Sequence, residues 1–224
     1  MDIEKKQDFA VIFDMDGVIV DSNPFHEIAL KKFCRKYGYP LNDEELKNQI
    51  FGRTNRDWLT RVFGPEITED RLKQLETEKE KIFREIIKPH IFPVKGLIGF
   101  LETLTKNEIP IALATSAPPP NVDFTLKITG TESYFQLILD GSMIEKSKPD
   151  PEIYLKTIEQ LRFPAELSVV FEDSLSGVEA ARAAGCKVVG ITTTHSRDEL
   201  YMTDHNIDDF DDVGLADLER LFTG

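Results

Sequence analysis

The chain has 224 residues, 41% hydrophobic and 30% charged, with 27 Lys and Arg against 40 Asp and Glu for a net charge of −13. That is long enough to bury a core without staples and too apolar for a disordered chain. It lacks the basic footprint of a nucleic-acid binder and the basic amphipathic face that holds an anionic membrane. An anionic ligand must therefore be met by a local cluster of Lys, Arg or backbone N–H groups. Cys34 and Cys186 stand far apart with no metal-ligand spacing, read as small core or near-surface residues, and favour a reducing compartment. Residues 1–8 carry acidic side chains and no apolar run of a signal peptide. No stretch approaches the roughly 18 apolar residues of a membrane span. The expectation is a cytoplasmic protein, a monomer or weak homodimer.

In chain order, residues 9–13 (FAVIF) form a short apolar run ending in an acidic, Gly-containing turn, which predicts a buried strand of a parallel sheet. Residues 21–92 contain no convincing strand. Phe25, Ala29, Phe33 and Tyr37 recur every four residues, and Leu72, Leu75, Ile82, Phe83 and Ile86 follow after the N-cap candidate Thr68 and before Pro89. This predicts an all-helical cap inserted after the first strand and packed over the active edge of the sheet. Strands are predicted again near 109–115, 137–139, 169–171 and 188–191, with helices between them. Those helices include 96–104, a helix opened by Pro118-Pro119-Pro120, and 151–161, with Ile153, Tyr154, Leu155, Ile158 and Leu161 on one face. Ser176 and Glu179 have the spacing of a capping box ahead of a helix that Gly185 closes. The acidic run 208–212 reads as loop residues flanking an edge strand. The alternation predicts an α/β, doubly wound, Rossmann-like parallel sheet, built from 1–20 plus 93–224, with the helical cap at 21–92.

Chemistry concentrates at the predicted strand ends. In Asp14-Met15-Asp16-Gly17, two carboxylates two residues apart face one crevice and repel, so they need a cation to stay ionised. Mg²⁺ suits such oxygen ligands, and a carboxylate can attack phosphorus. Thr115-Ser116 ends a strand, Lys148 lies in SKPDP, and Glu172-Asp173-Ser174 precedes a helix. Singly, these read as a solvated turn, a strand-end hydrogen bond and a surface charge. Jointly, each falls where the ligand of a doubly wound sheet binds.

The four ordered segments DMDGVIVDS, ATS, SKPDPEIY and FEDSLSGVEAARAAG resemble the haloacid dehalogenase superfamily, in its β-phosphoglucomutase-like subfamily of phosphatases and phosphomutases. The resemblance spans essentially the whole chain. It implies Asp14 as nucleophile and Asp16 as general acid and base. It implies Thr115 and Ser116 as phosphate holders, with Gly17 turning the backbone around the site, and Lys148 as the charge-offsetting cation. It implies Asp173 as an Mg²⁺ ligand beside Asp14 and the Asp16 backbone carbonyl, and Glu172 as a ligand or supporting partner. His26 matches a cap position that contacts the acid/base Asp, Lys79 a cap position that contacts substrate, and Arg53, Asn55 and Arg56 the loop that reads substrate.

One departure is informative. Sugar-bisphosphate mutases place a Lys immediately before the cap-loop Gly and an Arg three residues after it, where this chain has Phe51 and Asn55. Without that clamp on a distal phosphate, hydrolysis is favoured over mutase chemistry. Asp16 argues against dehalogenation. The expected activity is therefore an Mg²⁺-dependent phosphatase of a small phosphorylated metabolite. The alternatives are a sugar-phosphate mutase and, from another class, a non-catalytic phospho-acceptor module. The last has no room for a cap of this size.

Overall fold

The computed structural model describes residues 9–41 and 55–223, the side chains of 55–58 excepted. Contacts divide the chain into two compact units, Met1–Asp21 with Phe92–Gly224 and Ser22–Ile91.

The first unit is an α/β layer structure. Strands β1 (Ala10–Phe13), β2 (Ile111–Ala114), β3 (Leu137–Leu139), β4 (Ser168–Glu172), β5 (Lys187–Ile191) and β6 (His205–Ile207) form one sheet in the order β3-β2-β1-β4-β5-β6. All its pairings are parallel. The central strands β1, β2 and β4 are buried along their whole length, as a sheet covered on both faces requires. The winding reverses between β1 and β4, and a crevice forms at the carboxyl ends of strands where such a reversal occurs. One face is filled by Phe13, Phe100, Phe171 and Phe210, with Phe13 stacked on Phe171 at 5.1 Å between ring centroids. On the other face Ile12, Ala112, Val170 and Tyr154 pack together with small residues of the covering helices. Each fully buried Phe or Ile contributes on the order of 2–3 kcal/mol.

The second unit is helical among the described residues, with α1 (Asn23–Lys36), α2 (Asn55–Phe63) and α3 (Glu69–Ile87). Its own core gathers Leu30, Phe33, Cys34, Leu59, Leu72 and Leu75. Thr68 caps α3 by accepting the Arg71 N–H at 3.3 Å, and Pro89 falls in the single tight turn that ends it. Within the first unit, the two chain segments flanking this insertion are tied together. Val94 N–H donates to the Ile19 carbonyl at 2.9 Å, and Val20 bridges to Pro93.

The remaining helices are α4 (Leu97–Lys106), α5 (Pro119–Thr129), α6 (Glu152–Leu161), α7 (Leu175–Ala183) and α8 (Leu215–Arg220). Two local expectations need correction. The N-cap of α7 is Ser174, whose hydroxyl accepts the Gly177 N–H at 3.1 Å, rather than Ser176. The reason lies one turn back, where Glu172 accepts both the N–H and the hydroxyl of Ser174 and fixes the helix start there. Leu155 is exposed, because the buried stripe of α6 runs through Ile153, Tyr154, Thr157 and Ile158 at helical spacing. The run 208–212 does follow an edge strand, β6, and forms a short 3₁₀ turn at Phe210–Asp212.

Candidate active site

Asp14 follows β1 directly, and its N–H still donates to the Phe171 carbonyl of β4 at 3.0 Å. The chain then folds back on itself. The Met15 carbonyl accepts from Val18, Ile19 and Val20, while Gly17 N–H donates to the Val20 carbonyl at 2.7 Å. Met15, Val18, Ile19 and Val20 are all buried, so apolar packing fixes the loop that carries the carboxylates. Gly17 has φ +81°, and a Cβ there would lie 1.9 Å from Asp173 Oδ2. No other residue fits, since the space its side chain would fill holds a site carboxylate.

Lys148, between β3 and α6, reaches into this crevice with a side chain 8% exposed. Its Nζ donates to Asp14 Oδ1 at 2.6 Å and to Glu172 Oε1 at 2.6 Å. Asp14, Glu172 and Asp173 are buried and bring carboxylate oxygens within 4.8 Å of one another. Asp16 is half-buried two residues beyond Asp14, and Thr115 and Ser116 follow β2, the strand beside β1. The Thr115 hydroxyl accepts the Ala117 N–H at 3.1 Å, which shapes the bend after the strand, and Ser116 is exposed.

The charges in this cluster oppose one another. Burial, reinforced by the charges of Glu172 and Asp16 and opposed by Lys148, raises the Asp14 carboxyl from 3.8 to about 7. Burial, with Glu172 and Asp14, also raises Asp173 well above its usual value. Glu172 moves the other way. Burial pushes it up, but the charge of Lys148 and hydrogen bonds from Lys148, Tyr154 and Ser174 outweigh that and lower it. Lys148 is raised, because Asp14 and Glu172 outweigh the cost of burying its ammonium.

Among the described residues, the Lys148 ammonium pairs with two of these three buried carboxylates, and the four groups together carry a net charge of −2 when all are ionised. An all-oxygen donor set whose described groups carry a net double negative charge fits a hard divalent cation such as Mg²⁺. Two threonines of the segment after β5, which the sequence pattern does not single out, brace this donor set. Thr193 donates to the Gly17 carbonyl at 2.6 Å, and Thr194 donates to Asp173 Oδ2. Their only sequence signal is position, just past the carboxyl end of a strand.

In the helical unit, His26 and Lys79 are brought together, with Lys79 Nζ 3.2 Å from His26 Nδ1. The imidazole stacks on Phe83 at 3.6 Å, and Lys79 is buried against Glu80 at 2.8 Å. Glu80 has no signal in the sequence. Arg53 and Phe51 lie outside the described residues. Asn55 and Arg56 open α2, and their side chains lie outside the described set.

The profile of the haloacid dehalogenase-like hydrolase family matches residues 11–191. A phosphorylated carbohydrates phosphatase of Thermotoga maritima is 38% identical over 180 residues, covering 79% of this chain and 81% of that protein. The crystal structure of a haloacid dehalogenase hydrolase of family IA, variant 3, from Entamoeba histolytica superposes with a TM-score of 0.88 at 30% identity, over 96% of this chain and all of that one. The β-phosphoglucomutase of Clostridium difficile, 24% identical over 96% of each chain with a TM-score of 0.81, shares the fold. The chain thus belongs to the haloacid dehalogenase-like hydrolases, with a six-stranded parallel sheet and a helical cap. Within that family it is a phosphatase of the haloacid dehalogenase type, like the Thermotoga protein. Among the described residues, no helix is long and apolar enough to cross a membrane.

Proposed function

We propose that this chain is an Mg²⁺-dependent phosphatase of small phosphorylated carbohydrates and like metabolites, working through an aspartyl phosphate on Asp14. The observation that carries the reading is the buried cluster in which Lys148 lies 2.6 Å from both Asp14 and Glu172, beside Asp173. The carbohydrate preference rests on the Thermotoga relative.

In the first step an Asp14 carboxylate oxygen forms a bond to phosphorus while the ester P–O bond breaks. Asp16 gives its proton to the departing alkoxide. In the second step Asp16 takes a proton from water, whose oxygen attacks phosphorus. The Asp14–phosphorus bond then breaks, which regenerates the carboxylate and frees inorganic phosphate. Lys148 sets its positive charge beside Asp14 and against the equatorial oxygens, where charge gathers in phosphoryl transfer. Thr115 and the Ser116 backbone hold phosphoryl oxygens. Asp14, Asp173 and the Asp16 carbonyl would hold Mg²⁺, with Glu172 adding its charge. Bound there, the ion supplies positive field at the phosphoryl oxygens. The unit of 93–224 with 1–20 is read as the catalytic core and 21–92 as the cap. There His26, Lys79, Arg53, Asn55 and Arg56 would select the substrate.

A phosphate-release screen over sugar phosphates, polyol phosphates, phosphoglycolate, nucleotides and pyrophosphate, with Mg²⁺ or with EDTA, tests this. Turnover of sugar phosphates that needs Mg²⁺ and is lost in Asp14→Asn is expected. Full turnover in chelator, or activity of that variant within about tenfold of the parent, would contradict the covalent, metal-dependent reading.

A further inference from the structure

Tyr154 has no part in the expected chemistry, yet it is built into the site. Its side chain, on α6, is fully buried among Ile12, Ala112, Ala114 and Val170. A phenol in an aliphatic core needs a partner for its hydroxyl. It donates to Glu172 Oε1 at 2.6 Å, the same oxygen that accepts from Lys148. The Lys148 ammonium also lies 4.8 Å from the centre of the Tyr154 ring. Tyr154 therefore meets Lys148 twice, through its ring and through a shared carboxylate oxygen.

The carboxylate between them is not free to turn. Its other oxygen accepts from the Asp173 N–H at 3.1 Å, the Ser174 N–H at 3.2 Å and the Ser174 hydroxyl at 3.1 Å. Gly177 closes the remaining side, where a Cβ would lie 1.8 Å from Oε1. With both oxygens engaged by the chain's own donors, Glu172 is held as an anchor for Lys148.

We propose that Tyr154 is a positioning residue for Lys148, acting through Glu172. Two carboxylates compete for one ammonium, and the phenol sets the balance. While its hydroxyl occupies Oε1, Glu172 draws less on the ammonium, and Lys148 stays shared with Asp14. Without that hydroxyl, Lys148 becomes the sole donor to a buried oxygen and is drawn away from Asp14. This rests on the proposed phosphatase mechanism, in which Lys148 faces the transferred phosphoryl group.

The test uses Tyr154→Phe, which keeps the ring and the core packing, together with Glu172→Gln, the double variant and Lys148→Ala. The measurements are kcat, the inhibition constant of inorganic phosphate and Tm at saturating Mg²⁺, with Mg²⁺ affinity from a separate thermal-shift titration of the metal. Tyr154→Phe should lower kcat roughly tenfold or more and weaken phosphate inhibition by a similar factor, the usual scale for losing a hydrogen bond to a charged group. Mg²⁺ affinity should stay within about twofold. Because Tyr154 acts through Glu172, the double variant should be no slower than Glu172→Gln alone within about threefold. A Tyr154→Phe protein that loses Tm but keeps parental kcat and phosphate affinity overturns the proposal, as does full additivity with Glu172→Gln. Lys148→Ala separates the two readings. If it abolishes turnover while Tyr154→Phe is parental, only the positioning role fails. If it is itself parental, the assignment of Lys148 fails and takes this proposal with it.

Discussion

Replacing Asp14 by Asn should inactivate the enzyme and, in the absence of metal, stabilise it. The native carboxyl is raised from 3.8 to about 7, chiefly by burial and then by Glu172 and Asp16 against the pull of Lys148. An acid whose folded pKa lies above its unfolded one holds its proton more tightly in the folded state. Folding stability therefore falls as pH rises between the two values and is lowest above the upper one. At about 1.4 kcal/mol per tenfold in proton affinity, the full interval amounts to roughly 4 kcal/mol above about pH 7, and to nothing below about pH 4. Asn has the shape of the protonated side chain and no charge to desolvate. Urea unfolding in EDTA should therefore show Asp14→Asn more stable by about 2–4 kcal/mol near pH 8, with the gain shrinking to about 1–2 kcal/mol near pH 5. Saturating Mg²⁺ should close most of that gap, since a ligand at 100 times its Kd adds about 2.7 kcal/mol to the protein that binds it. A gain at pH 8 no larger than at pH 5, or a loss at pH 8 without metal, would refute the account of buried, mutually repelling carboxylates.

Asp16→Ala should slow breakdown of the aspartyl phosphate more than its formation from p-nitrophenyl phosphate, because an activated leaving group needs little protonation while water still needs a base. A burst of nitrophenol followed by a slow steady state is expected, and a linear trace from the first turnover would count against Asp16 as the base. Thr194→Val removes the donor to Asp173 Oδ2 and should weaken Mg²⁺ binding about tenfold or more in thermal-shift titrations, with Thr194→Ser restoring it. Parental Mg²⁺ affinity in the valine variant would show that Asp173 is held without it. Gly177→Ala drives a methyl into the Glu172 carboxylate and should cost about 2–3 kcal/mol of stability along with most of kcat, and an unchanged urea midpoint would contradict the packing. Assayed with β-glucose 1-phosphate and a trace of glucose 1,6-bisphosphate, the protein should release inorganic phosphate faster than it forms glucose 6-phosphate. The opposite ratio would mean that Phe51 and Asn55 do not mark the loss of a distal phosphate clamp.

Much of this site is legible in the sequence because its groups are tied to strand ends. Asp14 and Glu172 terminate apolar runs of period-free, β-branched and aromatic residues, and a buried strand in a doubly wound sheet delivers its next residues to the carboxyl edge. Lys148, Thr115 and Asp173 are readable for the same reason, each standing at or beside such an end in a recognisable segment. Local competition is harder to read. Ser176 with Glu179 has the better capping-box spelling, yet Ser174 takes the cap because Glu172 holds it from behind. That hold depends on a carboxylate whose orientation is set by Lys148 and Tyr154, residues 24 and 18 positions away in the chain. Tyr154 looks like one more apolar tooth on a helix, and in periodicity it is one. Only packing could decide that its ring faces the Lys148 ammonium while its hydroxyl donates to the carboxylate oxygen that this ammonium also reaches. Likewise, nothing in the run of threonines at 192–194 says that two of them brace Gly17 and Asp173. Which side chains alternate and where strands stop are properties of nearest neighbours along the chain, and the sequence determines them. Which donor reaches which buried oxygen depends on distances across the sheet of a few tenths of an ångström, and tertiary packing alone determines those.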